Sequence, residues 1–198
     1  MKIKVIGLCG GSGSGKGVVG AFFSEFGYLT VDTDKVYRNI TSSKSPCLDA
    51  LVEEFGKKIL DEKGALNRRI LAGIVFSDTE KLKTLNSITH KFVLNEVRAI
   101  IRCAEKDGRV GVIVDAPLLY ESGFNSECDF VIAVSADRDV RIKRIIERDK
   151  ITEAEAIRRI DSQKTDEELK KLADFVIVNN SDTSELRREL FKIMEKIK

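Results

Sequence analysis

No stretch of this chain reaches the about 18 consecutive apolar residues that would cross a bilayer as a helix. It also lacks an excess of one charge: 34 Lys and Arg stand against 32 Asp and Glu. That balance excludes a global basic field for a nucleic-acid backbone, so any anion site must be local. The four cysteines, Cys9, Cys47, Cys103 and Cys128, form no CxxC pair and no metal-ligand spacing. They read as reduced thiols of a cytosolic protein. Met1 leads directly into KIKVIGL, without the charged region and apolar core of a signal peptide. These features set the expectation of a cytoplasmic protein with neither nucleic acid nor membrane as partner. His90 is the single histidine, and no nucleophile–His pair suggests covalent catalysis. There is no NKxD-type guanine reader, no internal repeat and no low-complexity linker. What remains is 198 residues, 42% hydrophobic and 33% charged, enough to bury a core and stay in solution.

Five short apolar runs suit buried parallel strands: 3–8, 28–31, 110–114, 130–134 and 175–178. Helical patterns separate them. Thr152 with Glu155, and Asp182 with Glu185, have the spacing of helix N-caps. Alternating strands and helices predict an α/β fold with a mostly parallel five-stranded sheet flanked by helices. Residues 35–108 are too long for a plain crossover and are read as a helical insertion. Residues 137–170 form a second, charged insertion. The expected organisation is one domain, with a core of 1–34, 109–136 and 171–198.

The chemistry begins at residues 7–18, GLCGGSGSGKGV. A phosphate-cradling loop follows Gly-x-x-x-x-Gly-Lys with Ser or Thr, between a strand and a helix. Here Gly10, Gly15 and Lys16 fall in place, after an apolar run and before the helical VVGAFFSEF. Gly11, Ser12, Gly13, Ser14 and Gly15 would present backbone N–H groups to phosphates, and Lys16 would reach the β- and γ-phosphates. The hydroxyl position that binds magnesium holds Gly17, followed by Val18. ATP is thus the expected co-substrate, with Mg²⁺ held through water where the hydroxyl is missing.

Asp32 and Asp34 in VDTDKVYR close the second run, and alternation would aim both carboxylates the same way if the strand continued through them. Asp32 could accept or orient a hydroxyl proton. Arg38, four residues after Asp34, could pair with it or hold a substrate phosphate; a helix cap with a surface ion pair explains the same residues. Asp115, ending the apolar run in VIVDAPLLYESG, resembles the carboxylate that steadies magnesium directly or through water. In DRDVRIKRIIERD, Arg141, Arg144 and Arg148 share one helical face beside Ile142, Ile145 and Ile146. This is a solvated face, or the arginine face of a lid that stabilises a transferring phosphoryl group. His90 is read as a substrate contact or a packing residue. Three functions stay open: a small-molecule kinase, a nucleoside-monophosphate kinase, and a nucleotide-binding regulator without turnover, for which Gly17 argues.

Taken together, GLCGGSGSGKG, VDTDKVYR, DAPLLYESG, RIIERDKITEAEAIRRIDSQ and ADFVIVNN resemble the dephospho-coenzyme A kinase family nearly end to end. The resemblance implies a P-loop, nucleoside-monophosphate-kinase-like core with a helical substrate-binding insertion and a helical lid. It implies ATP-dependent phosphorylation of the ribose 3′-hydroxyl of dephospho-coenzyme A. Carried over, Lys16, Asp32 and Arg144 become catalytic. Arg148 and Asn179 join the nucleotide site, and Asp34, Arg38 and His90 contact the acceptor. The sequence departs from the family pattern at Gly17 and Val18, at Lys91 where Pro usually follows His90, and at Lys150 where the lid usually has Gly.

Overall fold

The computed structural model describes residues 2–180 and 183–197. The expected cap at Asp182 lies outside the described residues. Five strands, β1 (Lys4–Cys9), β2 (Tyr28–Asp32), β3 (Gly111–Asp115), β4 (Phe130–Ser135) and β5 (Phe175–Val178), form one sheet in the order β2-β3-β1-β4-β5. The ladders β1–β3, β1–β4 and β4–β5 are parallel. Parallel neighbours require crossovers, which explains the helix between each strand and the next.

β1, β3 and β4 read as unbroken apolar runs because both faces of the sheet are covered there, whereas Val176 and Val178 of the edge strand β5 are exposed. Ile6 and Leu8 of β1, Ile113 of β3, and Ile132 and Val134 of β4 pack with Val19, Phe22 and Phe23 of helix α1 (Lys16–Glu25). Leu186, Leu190 and Ile193 of the C-terminal helix (Thr183–Ile197) complete that layer. The intervening residues face the other way: a side chain on Gly7 would run into Leu119 and Cys128. Period-two alternation thus assigns each strand residue to one of two helical layers.

The chain divides into two compact units, Met1–Val31 with Cys103–Lys198, and Asp32–Arg102. The second unit carries α2 (Thr33–Thr41), α3 (Pro46–Phe55), α4 (Arg68–Val75) and most of α5 (Thr79–Lys106). Its core of Leu48, Leu51, Phe55, Ile59, Leu71 and Val75 is independent of the sheet. Side chains cap these helices locally: Ser45 accepts from Leu48 N–H and Asn67 from Ile70 N–H. Among the described residues no helix is long and apolar enough to cross a membrane.

Within the first unit, α6 (Arg138–Asp149), α7 (Glu153–Asp161) and α8 (Asp166–Leu172) form the charged insertion. Ile142 and Ile145 of α6 meet Ala156 and Ile160 of α7 in a small satellite core. Thr152 and Glu155 make the reciprocal capping box expected from their spacing, and Thr165 with Glu168 makes another. Lys150 ends α6 in the left-handed region, φ 55° and ψ 38°, and is the one non-glycine residue with positive φ among those described. The lysine therefore takes the turn that glycine would take, with its N–H on the Ile146 carbonyl.

A left-handed L-residue costs about 1–2 kcal/mol that glycine avoids, and glycine returns part of this through a more flexible unfolded chain. Lys150→Gly should therefore raise stability by up to about 1 kcal/mol, or about 2–4 °C in Tm for a chain of this size. Calorimetric melting of both proteins checks this, and a lowered Tm would show that the lysine side chain contributes more than its backbone costs.

Candidate active site

The loop between β1 and α1 is held by an unequal treatment of its two kinds of backbone group. Every carbonyl from Gly10 to Gly15 accepts a hydrogen bond. Lys16 Nζ donates to Gly10 O at 2.8 Å, and Ser14 N to Gly11 O at 3.2 Å. Arg141 Nε donates to Ser12 O at 2.9 Å, and Arg144 Nη1 to Gly13 O at 3.3 Å. Asn179 Nδ2 donates to Ser14 O at 2.8 Å, and Val18 N to Gly15 O at 3.0 Å. By contrast, no acceptor among the described residues takes the N–H of Gly13, Gly15, Lys16 or Gly17. Buried or half-buried backbone groups are normally paired. A loop with every carbonyl paired and four N–H groups left without an acceptor has the arrangement that suits an anion.

Helix α1 repeats the pattern. Its N-cap is Gly15, with no side-chain cap and no acidic residue in the first turn. Helices α2, α3, α4, α7 and α8 all have side-chain caps. The first N–H groups of α1 therefore keep their partial positive charge for a ligand. Three glycines of the loop are required by contact as well as by φ, Gly10 among them, where at φ 146° a Cβ would stand 2.2 Å from Val134 O. Gly13, at φ 79°, would push a Cβ within 2.6 Å of Arg141 O, and Gly15, at φ 94°, within 2.1 Å of Asn179 Nδ2.

Ser12 is gripped twice by Gln163, which accepts Ser12 N–H at 2.8 Å and donates to its hydroxyl at 3.2 Å. Ser14 is fully buried with its hydroxyl unpaired. Nothing lies within 4 Å of where a Gly17 Cβ would stand, and Val18 is exposed, so the start of α1 is open at the position of the missing hydroxyl. Directly behind the loop, Cys9 is buried, and burial pushes its thiol up to about 11, outweighing the pull of the Lys16 charge. It remains a neutral thiol at neutral pH.

The three arginines of α6 have separate fates. Arg141 is buried, contrary to a solvated charged face. Arg144 also donates to Asn179 O at 3.0 Å, so its guanidinium ties the loop to the end of β5. Arg148 is exposed and forms a two-pronged pair with Asp149, Nε and Nη2 each at 2.8 Å. That fork, with Arg159 also on Asp149, holds the Asp149 carboxyl down at about 2. Gln163 and the carbonyl-holding role of Arg141 were not identified as site features from the sequence. The signal available was the i, i+3 spacing of Arg141 and Arg144 and the glutamine of the RRIDSQ segment.

Asp115 ends β3 directly opposite Leu8 of β1, half-buried at the carboxyl edge of the sheet. Among the described residues no three His, Cys, Asp or Glu side chains cluster as a metal cage. Mg²⁺ often needs none, taking its ligands from phosphates, waters and one or two carboxylates. The open space at Gly17, where a water can stand, and the Asp115 carboxylate fit that mode.

In the second unit, Asp32 corrects one expectation. The strand does not continue through Asp34: Thr33 already begins α2, and Asp32 is its N-cap, accepting from Lys35 N–H at 3.0 Å. The paired-carboxylate alternation is therefore lost, because helix dihedrals take over one residue after Asp32. Asp34 lies in the first helical turn, and Arg38 Nε donates to the Asp34 main-chain carbonyl at 3.3 Å. Arg68 donates to Thr41 Oγ1 at 3.0 Å and stacks over Tyr37, which adds a second cation to that helix face. His90 is half-buried on α5.

Comparison with known proteins adds the family. The model of the dephospho-CoA kinase family, CoaE, matches residues 4–185. A dephospho-CoA kinase of Fusobacterium nucleatum subsp. nucleatum is 41% identical over 197 residues, covering 100% of both chains. Among solved structures, TT1252 from Thermus thermophilus superposes with a TM-score of 0.82 at 29% identity, covering 100% of both chains. The dephospho-CoA kinase from Campylobacter jejuni superposes with a TM-score of 0.70 at 27% identity, over 98% of this chain and 96% of that one. With the phosphate loop built as described and these matches running the length of the sequence, the chain belongs to the dephospho-CoA kinase family.

Proposed function

We propose that this chain transfers the γ-phosphoryl group of ATP to the ribose 3′-hydroxyl of dephospho-CoA, giving CoA. The observation that carries the nucleotide half is the loop whose carbonyls are all paired while the N–H groups of Gly13, Gly15, Lys16 and Gly17 are not. The acceptor half rests on membership of the family. The same proposal places the enzyme in the cytoplasm.

In this reading Gly11, Gly13, Gly15, Lys16 and Gly17 surround the phosphates with main-chain N–H groups, while Ser12, Ser14 and Val18, whose N–H groups are already paired, shape the loop. The Lys16 ammonium leaves Gly10 O for the β- and γ-phosphates. A loose phosphoryl transition state spreads charge over the equatorial oxygens, so a fixed cation there lowers the barrier more than it tightens ground-state binding. Arg144 adds positive potential from behind the loop. Arg148 exchanges its Asp149 carboxylate for a phosphate, since both accept the same two-pronged fork. Asn179 holds the loop to the sheet. Asp32 turns Oδ2, which stands 3.8 Å from the exposed Lys35 ammonium, to the acceptor hydroxyl while Oδ1 caps α2, and Asp34, Arg38 and His90 contact the acceptor. Mg²⁺ would be held by the nucleotide, by water in the space at Gly17 and by Asp115. When bound it neutralises phosphate charge.

Coupled ADP release, with dephospho-CoA, AMP and other nucleoside monophosphates supplied separately, tests the whole assignment. Turnover is expected with dephospho-CoA, and Lys16→Ala should lose at least about a hundredfold in kcat, as expected for removing a group aimed at transition-state charge. Turnover with AMP alone would overturn the acceptor, and a Lys16→Ala rate near the parent's would overturn the lysine's role.

Asp32→Asn separates structure from chemistry, because Asn caps a helix about as well as Asp. The variant should melt like the parent and bind ATP like the parent, yet turn over far more slowly. Retained turnover would show that the carboxylate is a cap and nothing more.

For the metal, replacing a direct hydroxyl ligand by a bridging water costs about 0–2 kcal/mol. Gly17→Ser fits sterically, since nothing occupies its Cβ position. It should shift the magnesium concentration for half-maximal rate downward, by up to about thirtyfold on that energy. Superimposable magnesium curves for the two proteins would show that position 17 takes no part in holding the metal.

A further inference from the structure

Arg141 is the buried cation of the first unit that the phosphoryl-transfer reading above leaves without a part. Its side chain is 6% exposed. Nε donates to Ser12 O at 2.9 Å, and Nη1 pairs with Asp166 Oδ1 at 2.9 Å in the first turn of α8. Nη2 is buried and has no hydrogen-bond partner. It lies against Gly11, where a Cβ would stand 2.0 Å from it. Burying a guanidinium is costly even when it is paired. A guanidinium kept buried, with one nitrogen unsatisfied, has to be explained by what it holds.

What it holds is a peptide plane. In a planar trans peptide the carbonyl of one residue and the N–H of the next point to opposite sides. Fixing Ser12 O on Arg141 therefore turns the Gly13 N–H away from Arg141, and that N–H is one of those without an acceptor. Gln163 pins Ser12 by its N–H and hydroxyl while Arg141 holds its carbonyl, so the residue that sets the Ser12–Gly13 peptide plane is held on both sides. Asp166 supplies the countercharge that lets Arg141 stay buried behind the loop.

We propose that Arg141 is a positioning residue for nucleotide binding, its guanidinium turning the Ser12–Gly13 peptide so that the Gly13 N–H is presented to phosphate, with Asp166 as its fixed counterion. This rests on the reading of the loop as the ATP site. It predicts a selective defect. Arg141 touches no acceptor-contact residue named above, so its loss should act on ATP and not on dephospho-CoA.

The test is ATP binding by calorimetry, together with steady-state kinetics, on Arg141→Ala, Arg141→Lys, Asp166→Asn and the Arg141→Ala/Asp166→Asn pair. Arg141→Ala should raise the ATP Kd at least tenfold and leave the KM for dephospho-CoA within twofold. Millimolar methylguanidinium should restore much of its ATP affinity, and should do nothing for Lys16→Ala. Arg141→Lys keeps the charge without the fork and should fall between. Asp166→Asn should weaken ATP binding about threefold alone and add nothing in the Arg141→Ala background. If Arg141→Ala fails to fold, the Arg141→Lys and Asp166→Asn variants decide by the same ATP-selective criterion. An Arg141→Ala protein with parent ATP affinity, while Lys16→Ala has lost turnover, would overturn this inference and leave the loop reading standing. Equal losses for ATP and dephospho-CoA, unrelieved by methylguanidinium, would also overturn it, as general structural damage. A parent chain that binds no ATP would overturn both.

Discussion

Backbone carbonyls and N–H groups cannot be oriented independently, and the phosphate loop depends on that constraint. Each outward carbonyl between Gly10 and Gly15 needs a donor behind it, because a buried carbonyl left without one costs about 1–3 kcal/mol. The donors come from places far apart in sequence: Arg141 and Arg144 from α6, Asn179 from just after β5. The sheet order explains how they meet. β1 lies between β3 and β4, and β5 lies beside β4, so the carboxyl ends of β4 and β5 open onto the side where the loop leaves β1. α6 starts directly after β4 and runs past the loop. Asn179 follows β5 and reaches Ser14. The small core of Ile142, Ile145, Ala156 and Ile160 keeps α6 in place, so residues that touch no ligand still set the loop's shape.

Much of this was legible in the sequence, for physical reasons. Buried parallel strands read as unbroken runs of Val and Ile, so β1 to β5 appear within a residue or two of their observed ends. The Thr152–Glu155 box is a strictly local pattern and is found where it was expected. The glycines of the loop carry their own geometric requirement. What could not be read was anything that depends on a side chain's direction across distant elements. Arg141, Arg144 and Arg148 look alike on a helical wheel, yet one is buried against Ser12, one bridges Gly13 and Asn179, and one pairs with its neighbour Asp149. Nor does alternation reveal where a strand stops. Asp32 is the last residue of β2 and the cap of α2, and that double position removes the parallel aim of Asp32 and Asp34.

The second unit poses a different problem. Its core is complete without the sheet, and its helices are capped by their own serines, asparagines and aspartates. Asp32 stands at the first residue of this unit, and Arg102 at its last. A carboxylate that caps a helix at a unit boundary is fixed in direction by Lys35 N–H. That fixity suits orienting a hydroxyl, since positioning contributes more than basicity in a transition state with little early deprotonation.

Local rules are broken in two places, and the two differ in kind. Lys150 adopts a left-handed turn that glycine would adopt without strain. It is the turn that ends α6, a local backbone cost. The start of α1 breaks three rules together: no side-chain cap, no acidic residue in the first turn, and a lysine at the positive end of the helix dipole. A cation there is unfavourable by about 0.3–1 kcal/mol, and each uncapped terminus forgoes about 1 kcal/mol more. Those losses have one common remedy, a polyanion at the helix N-terminus, which would cap the N–H groups, oppose the dipole and pair with Lys16 at once. Sequences conflict with local preference where function overrides it, and three conflicts that a single ligand would relieve are a more specific signal than the Gly-x-x-x-x-Gly-Lys spacing alone. Gly17 belongs to that set. Nothing lies within 4 Å of where its Cβ would stand, so the helix start is open there and the carbonyl bonds that shape the loop do not depend on a side chain at 17.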